Sequence, residues 1–234
     1  MKGSKKYNES MKIYDKTEVF KPKDAILLLK KMASKNFSET VEIHFNLGID
    51  PKQADQQLRG TLNLPHGTGK EQRIVVVCKE DQVEKAKKAG AVDAGAGDMI
   101  EKIQKGWFDF DILITSPEMM GQLGKLGRVL GTKGLMPNIK SGTISKDIEK
   151  SVREFKKGKI EYRNDKYGNM HLVLGKVDFD KDKLFENFMS IYDLIIKEKP
   201  SKAKGVYIKS MSLATTQSPG LWIETSKNKW GEDE

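Results

Sequence analysis

Several segments of this 234-residue chain hold residue types that could do chemistry. His66-Gly67-Thr68-Gly69-Lys70 invites a phosphate-loop reading, because flexible glycines followed by a lysine can wrap phosphate oxygens. The full pattern needs a leading glycine and a trailing Ser or Thr, and here Leu64 and Glu71 occupy those places. The segment also precedes an apolar strand instead of following one. A nucleotide-using α/β enzyme acting through Gly67–Lys70 is therefore the alternative function to weigh. Gly95-Ala96-Gly97 begins a dinucleotide-type pattern, but Ile100 stands where the third glycine belongs, so a turn is expected. Asp109 and Asp111 flank Phe110 and could do acid–base work or hold magnesium; at the entry to a strand they read more simply as solvated loop carboxylates. Cys78 is the only cysteine, which excludes an intramolecular disulfide and a Cys-rich zinc site. It sits in an apolar strand and is expected to be inert. His44, His66 and His171 lie far apart in sequence without metal-ligand spacing. No catalytic constellation, metal site or cofactor is expected.

Two other segments suit the recognition of polyanions. Met119 to Lys146 contains no acid, five bases (Lys125, Arg128, Lys133, Lys140 and Lys146) and glycines at 121, 124, 127, 131, 134 and 142. Such a segment can bring backbone close to phosphate while its side chains supply charge, and it can equally be a flexible, solvated loop. Arg163, Asp165, Lys166 and His171 surround one hairpin, with a polar edge of Glu42 and His44 elsewhere. Mixed acid, base and amide faces can read ribose and base edges; a solvent-facing hairpin with ordinary charges has the same pattern.

Composition agrees with a polyanionic partner without requiring one. Forty-two Lys plus Arg against 33 Asp plus Glu leave +9, of which +4 falls in residues 1–66, +4 in 67–157 and +1 in 158–234. The N-terminus lacks the apolar run of a secretory signal, and no stretch approaches the ~18 apolar residues of a membrane span. A cytoplasmic protein without membrane contact is expected.

The elements that must position these groups fall into two styles. Pro22 can open a helix in which Ala25, Leu28, Leu29 and Met32 repeat at helical spacing. Val41 to Leu47 alternates apolar and polar residues, as a half-buried strand does. Ile74 to Cys78 is apolar throughout, like Ile112–Ile114, and each is followed by a helical pattern. That is the signature of strands covered on both faces in an α/β layer. After Gly158 the alternating style returns, with a turn at Asn164–Gly168, a strand at His171–Leu174, a helix face at Leu184, Phe188, Ile191 and Ile195, and a long strand over Val206–Leu213. The fold class is therefore α/β and α+β. Residues 1–66 and 158–234 form one domain, 67–157 an inserted one, and 225–234 a disordered tail.

Gly124-Lys125-Leu126-Gly127-Arg128-Val129-Leu130-Gly131-Thr132-Lys133-Gly134-Leu135-Met136-Pro137-Asn138 closely resembles the signature of the bacterial large-subunit ribosomal protein L1 family. The resemblance continues through Phe37–Glu42, Leu47–Pro51, Arg59–Thr61, Leu64–Lys70, Gly106–Asp111 and Arg163–Lys166. It implies a split β-α-β sandwich built from both chain ends, with an inserted Rossmann-like domain that binds no nucleotide. It further implies a non-enzymatic protein, monomeric when free. Such a protein binds large-subunit rRNA on the ribosome's mobile lateral stalk, helps deacylated tRNA leave the exit site and represses its own mRNA through the leader. Carried over by position, its RNA-binding residues are Phe37, Thr40, Glu42, Arg163, Asp165, Lys166, His171 and the run Thr215, Thr216, Gln217 and Ser218. Lys125, Arg128, Lys133 and Lys140 form a secondary RNA-contact loop. The family usually has Met-Gly where this chain has Gln217-Ser218. Ser218 adds a Cβ and a hydroxyl, and Gln217 offers a hydrogen bond in place of a thioether contact.

Overall fold

The computed structural model describes residues 5–34 and 36–230. The chain divides into two compact units, residues 1–69 with 162–234 and residues 70–161. Both crossings fall slightly later in the chain than the sequence patterns place them.

In the first unit, α1 (Lys5–Ser10) and β1 (Val19–Phe20) precede α2 (Pro22–Met32), β2 (Thr40–Leu47) and β3 (Arg59–Asn63). The chain later returns within β7 (Lys159–Arg163), whose last two residues belong to this unit, and continues through β8 (Asn169–Lys176), α8 (Lys181–Lys197), β9 (Ile208–Thr215) and β10 (Leu221–Ile223). Five of these strands form one sheet in the order β1-β10-β9-β2-β8. β2 is an inner strand and pairs antiparallel with β8 and β9, so strands from the two chain ends interleave. Its alternation works as expected: Val41, Ile43, Phe45 and Leu47 are buried, while Thr40, Glu42, His44 and Asn46 face outward. α2 and α8 cover the apolar face. Ala25, Ile26, Leu29 and Met32 of α2 and Leu184, Phe188, Ile191 and Ile195 of α8 are buried there. Removing such side chains from water is the main force holding helix to sheet.

The C-terminal stretch departs from expectation. Residues 225–230 are ordered: Lys227–Lys229 form a 3-10 turn and Trp230 is buried. The Trp230 ring packs edge-on against Tyr192 and Phe188, with centroids at 4.7 and 5.4 Å, and its Nε1 donates to the Glu224 carbonyl at 2.6 Å. One aromatic anchor is enough to order a polar segment whose composition alone suggests none. Residues 231–234 of the expected tail lie outside the described residues.

The second unit contains β4 (Ile74–Val77), α3 (Glu80–Ala89), β5 (Asp93–Gly95), α4 (Gly97–Gln104), β6 (Ile112–Thr115), α5 (Met120–Leu123), α6 (Gly127–Thr132) and α7 (Ile148–Lys156). Its sheet is parallel, in the order β5-β4-β6. β4 is buried on both faces. Val75 and Val77 join Met99, Ile103, Leu123 and Leu130 on one side, while Ile74, Val76 and Cys78 join Ala86, Val152 and Phe155 on the other.

The glycine-rich segment is also more ordered than a flexible loop. Pro117–Thr132 is a succession of short 3-10 and α turns. Leu123, Leu126 and Leu130 recur at helical spacing and fill the core, which holds the backbone in helix despite its glycines. An extended loop begins only at Lys133. Within it the Asn138 N–H donates to Thr143 Oγ1 and the Lys140 N–H to Asn138 Oδ1, each at 2.8 Å.

Candidate nucleic-acid interface

The outward side chains of the five-stranded sheet form an ordered grid. Strand register sets His44 between His171 of β8 and Ser212 of β9, and Asn46 between Asn169 and Ser210. Glu42 lies between Val173 and Ala214. The His44 and His171 rings meet Nδ1 to Nδ1 at 3.0 Å, and Asn46 Nδ2 donates to Asn169 Oδ1 at 2.8 Å. Burial pushes the His44 imidazole below its ordinary value and His171 adds to the effect, while Glu42, 4.0 Å from Nε2, opposes it. Two of the three histidines that lie far apart in sequence, His44 and His171, are thus neighbours, and the Glu42–His44 edge is continuous with the hairpin side of the sheet. Antiparallel pairing across more than a hundred residues produces this adjacency, and no local pattern encodes it.

At one end of the grid a buried carboxylate organises the surroundings. Glu39 is 1% exposed. Its Oε1 accepts from the Ser34 N–H at 2.7 Å, and its Oε2 accepts from Thr215 Oγ1 at 2.5 Å and from the Gln217 N–H at 3.2 Å. One side chain thereby ties the loop carrying exposed Phe37 to the turn carrying Thr216 and Gln217. Thr40 is fixed from both sides: its N–H donates to Thr216 Oγ1 and its hydroxyl accepts from Lys176 Nζ at 2.9 Å. Thr215 is buried and committed to Glu39. The Ser218 hydroxyl accepts from the Thr215 N–H at 2.8 Å and donates to the Pro219 carbonyl, closing the turn on itself. Phe37, Thr216 and Gln217 remain exposed.

At the other end the β7–β8 hairpin presents Arg163, Lys166 and Tyr167 to solvent. Asp165 builds this turn. Its Oδ1 accepts from the Tyr167 N–H at 2.7 Å and the Asn169 N–H at 2.8 Å, and its Oδ2 accepts from Asn169 Nδ2 at 3.0 Å. Burial pushes the Asp165 carboxyl up, but the bonds from Asn169 and Tyr167 outweigh it and hold the group below the usual range. Gly168 completes the turn at φ +82°, and a Cβ there would stand 3.1 Å from the Leu47 carbonyl. Lys166 Nζ lies 5.1 Å from the centroid of the Tyr167 ring, which is 70% exposed.

Sequence reasoning therefore missed Glu39, Lys176 and Tyr167. Only Tyr167 carried a usable signal, an aromatic at the tip of a polar turn. In the second unit, Lys125 and Arg128 project from helical turns and Lys133 and Lys140 from the loop, all exposed. Lys133 Nζ stands 4.6 Å from the Phe108 ring centroid.

The nucleotide-like motifs are filled from within. Asn187, fully buried on α8, donates to the carbonyls of Gly67 and Leu174 and accepts from the His66 N–H. Gly69 sits at φ +70°, and a Cβ there would meet Phe179 and Lys176 side-chain carbons at 2.9 Å. At the start of α4, Asp98 Oδ1 accepts from the Ala96 N–H at 2.9 Å, placing a carboxylate where a pyrophosphate would sit. Asp109 pairs with Arg73, and Asp111 with Lys70 and Arg73. Burial raises the Asp111 carboxyl, yet bonds from these two cations hold it at about 2. The Cys78 thiol is buried, and burial pushes it up to about 11. Among the described residues no group of three or more His, Cys, Asp or Glu is placed to hold a metal ion, and no helix is long and apolar enough to cross a membrane.

These features define a mixed α/β protein with an organised polar surface on one open sheet face, flanked by a basic hairpin. The chain belongs to the ribosomal protein L1p/L10e family, whose model matches residues 29–219. Members of the family are structural rather than enzymatic components of the ribosome. The chain is accordingly a ribosome-associated protein of the large subunit that binds rRNA.

Proposed function

We propose that the open sheet face and the hairpin beside it form the rRNA-binding surface, gripping a folded junction at the mobile lateral stalk of the large subunit. The observation that carries this reading is continuity. Register joins Glu42, His44 and His171 into one patch, with Thr40 and Thr216 at one end and the exposed Arg163 and Lys166 at the other. Hydroxyl, amide and imidazole groups held by internal bonds suit ribose and base edges, and the flanking cations suit phosphate. In this reading Phe37, Thr40, Glu42, Arg163, Lys166, His171, Thr216 and Gln217 meet RNA, while Asp165, Thr215 and Ser218 shape the backbone that presents them. Lys125, Arg128, Lys133 and Lys140 make a secondary, mainly electrostatic contact.

The architecture we infer is a split β-α-β sandwich interrupted by a Rossmann-like unit that has kept its parallel sheet and holds no nucleotide. Two further roles follow from the family resemblance: helping deacylated tRNA leave the exit site, and repressing the protein's own mRNA through a leader that offers the same surface a similar fold. Chemical footprinting of the full chain on its own large-subunit rRNA tests the central reading. Protection is expected at a single folded junction of the stalk, with competition by the leader transcript. Uniform, salt-labile protection along the rRNA would overturn it.

A further inference from the structure

We propose that Trp222 is a stacking shelf for one unpaired RNA base, extending the RNA surface to the far side of the open sheet. The inference rests on the reading that this face binds rRNA. Trp222 of β10 is in register with Val19 of β1 on one side and Ser212 of β9 on the other. Ser212 is beside His44, and His44 beside His171. One row of outward side chains, Val19–Trp222–Ser212–His44–His171, therefore crosses all five strands.

Alternation sends Leu221 and Ile223 into the core and leaves the indole outside, 47% exposed, with Val19 at 56%. No aromatic ring of the described residues packs on it. The open ring lies in the same outward row as the polar side chains of the proposed RNA surface, so it can extend that surface.

The chemistry of the row selects the occupant. It contains no lysine, arginine or carboxylate, so it offers neither a phosphate grip nor charge pairing to a peptide. Two side chains are too narrow an apolar patch for a protein interface, which needs hundreds of square ångströms per partner (~800 Å²). A π-face with the Ser212 hydroxyl on the adjacent strand matches a flat heterocycle that stacks on one side and hydrogen-bonds along its edge.

The test uses the full chain and a stalk-junction fragment of its large-subunit rRNA, with affinity and intrinsic tryptophan fluorescence read at fixed salt. Wild-type protein should bind with quenching. Trp222→Ala should bind roughly 5- to 150-fold more weakly, the scale of one base stack. Trp222→Phe, which keeps an aromatic face, should hold most of the affinity and lose most of the quench. Both variants should melt like the wild type. If Trp222→Ala binds as tightly as wild type while His171→Ala does not, the shelf is refuted and the sheet-face reading stands. If neither substitution matters to a wild type that binds, both fail.

Discussion

Arg163 and Glu39 show how differently two charged side chains can serve one surface. Arg163 ends β7, is exposed, and has no ionic partner among the described residues, so its guanidinium is available to a phosphate or base edge. Arg163→Ala should weaken rRNA binding by ~1–3 kcal/mol at fixed salt, the scale of one specific charge-assisted contact. Lys133→Ala should cost less and mainly flatten the salt dependence, measured as the slope of log affinity against log salt. Glu39 is almost wholly shielded from solvent, yet it receives hydrogen bonds from the segments that present Phe37, Thr216 and Gln217. Glu39→Gln turns an amide donor toward those donors. The expected cost is ~1–3 kcal/mol of folding stability in denaturant titration, accompanied by weaker RNA binding. The resemblance pointed to Phe37 and Thr216 directly. Glu39 stood in the same quoted run without a role, because its importance comes from burial, and burial is a property of the folded chain.

At the scale of elements, β2 and β4 were legible and the pairing between strands was not. Alternation in Val41–Leu47 and its absence in Ile74–Val77 report one covered face and two. Nothing local says that His44 will stand opposite His171, because that pair is made by register between strands 127 residues apart. The pair has a measurable consequence. His44 is held below the ordinary imidazole value of 6.5 by burial first and by His171 second, with Glu42 opposing. As pH falls through 6.5 the unfolded chain takes up this proton before the folded one. Its contribution to stability is therefore complete above that pH and declines below it. Urea denaturation at about pH 7.5 and about pH 5.5 should show the drop, and His171→Asn should reduce it. The glycine-rich segment taught the converse lesson: six glycines suggested a loop, and three leucines at helical spacing decided the outcome.

At the scale of the molecule, the two units differ in how the chain supplies them. Residues 70–161 are contiguous and carry a parallel sheet with core on both faces. That segment alone should fold cooperatively, seen as a single thermal transition by circular dichroism. Residues 1–69 alone should not: they bring β1 and β2, which in the five-stranded sheet are separated by β10 and β9. Two domain styles were readable from hydropathy patterning, since alternating strands flank uniformly apolar ones. The ordered C-terminus was not, because Trp230 is a lone apolar residue among charges until Phe188 and Tyr192 receive it. The interleaved strand order also sets a clock for synthesis. While the last third of the message is still being decoded, the insert can already be complete, but the sheet face waits for β8, β9 and β10. Translation at ~5–20 residues per second makes that wait on the order of ten seconds. During it, an unfinished polypeptide lacks the five-stranded sheet face proposed to bind rRNA, so that face serves only completed copies.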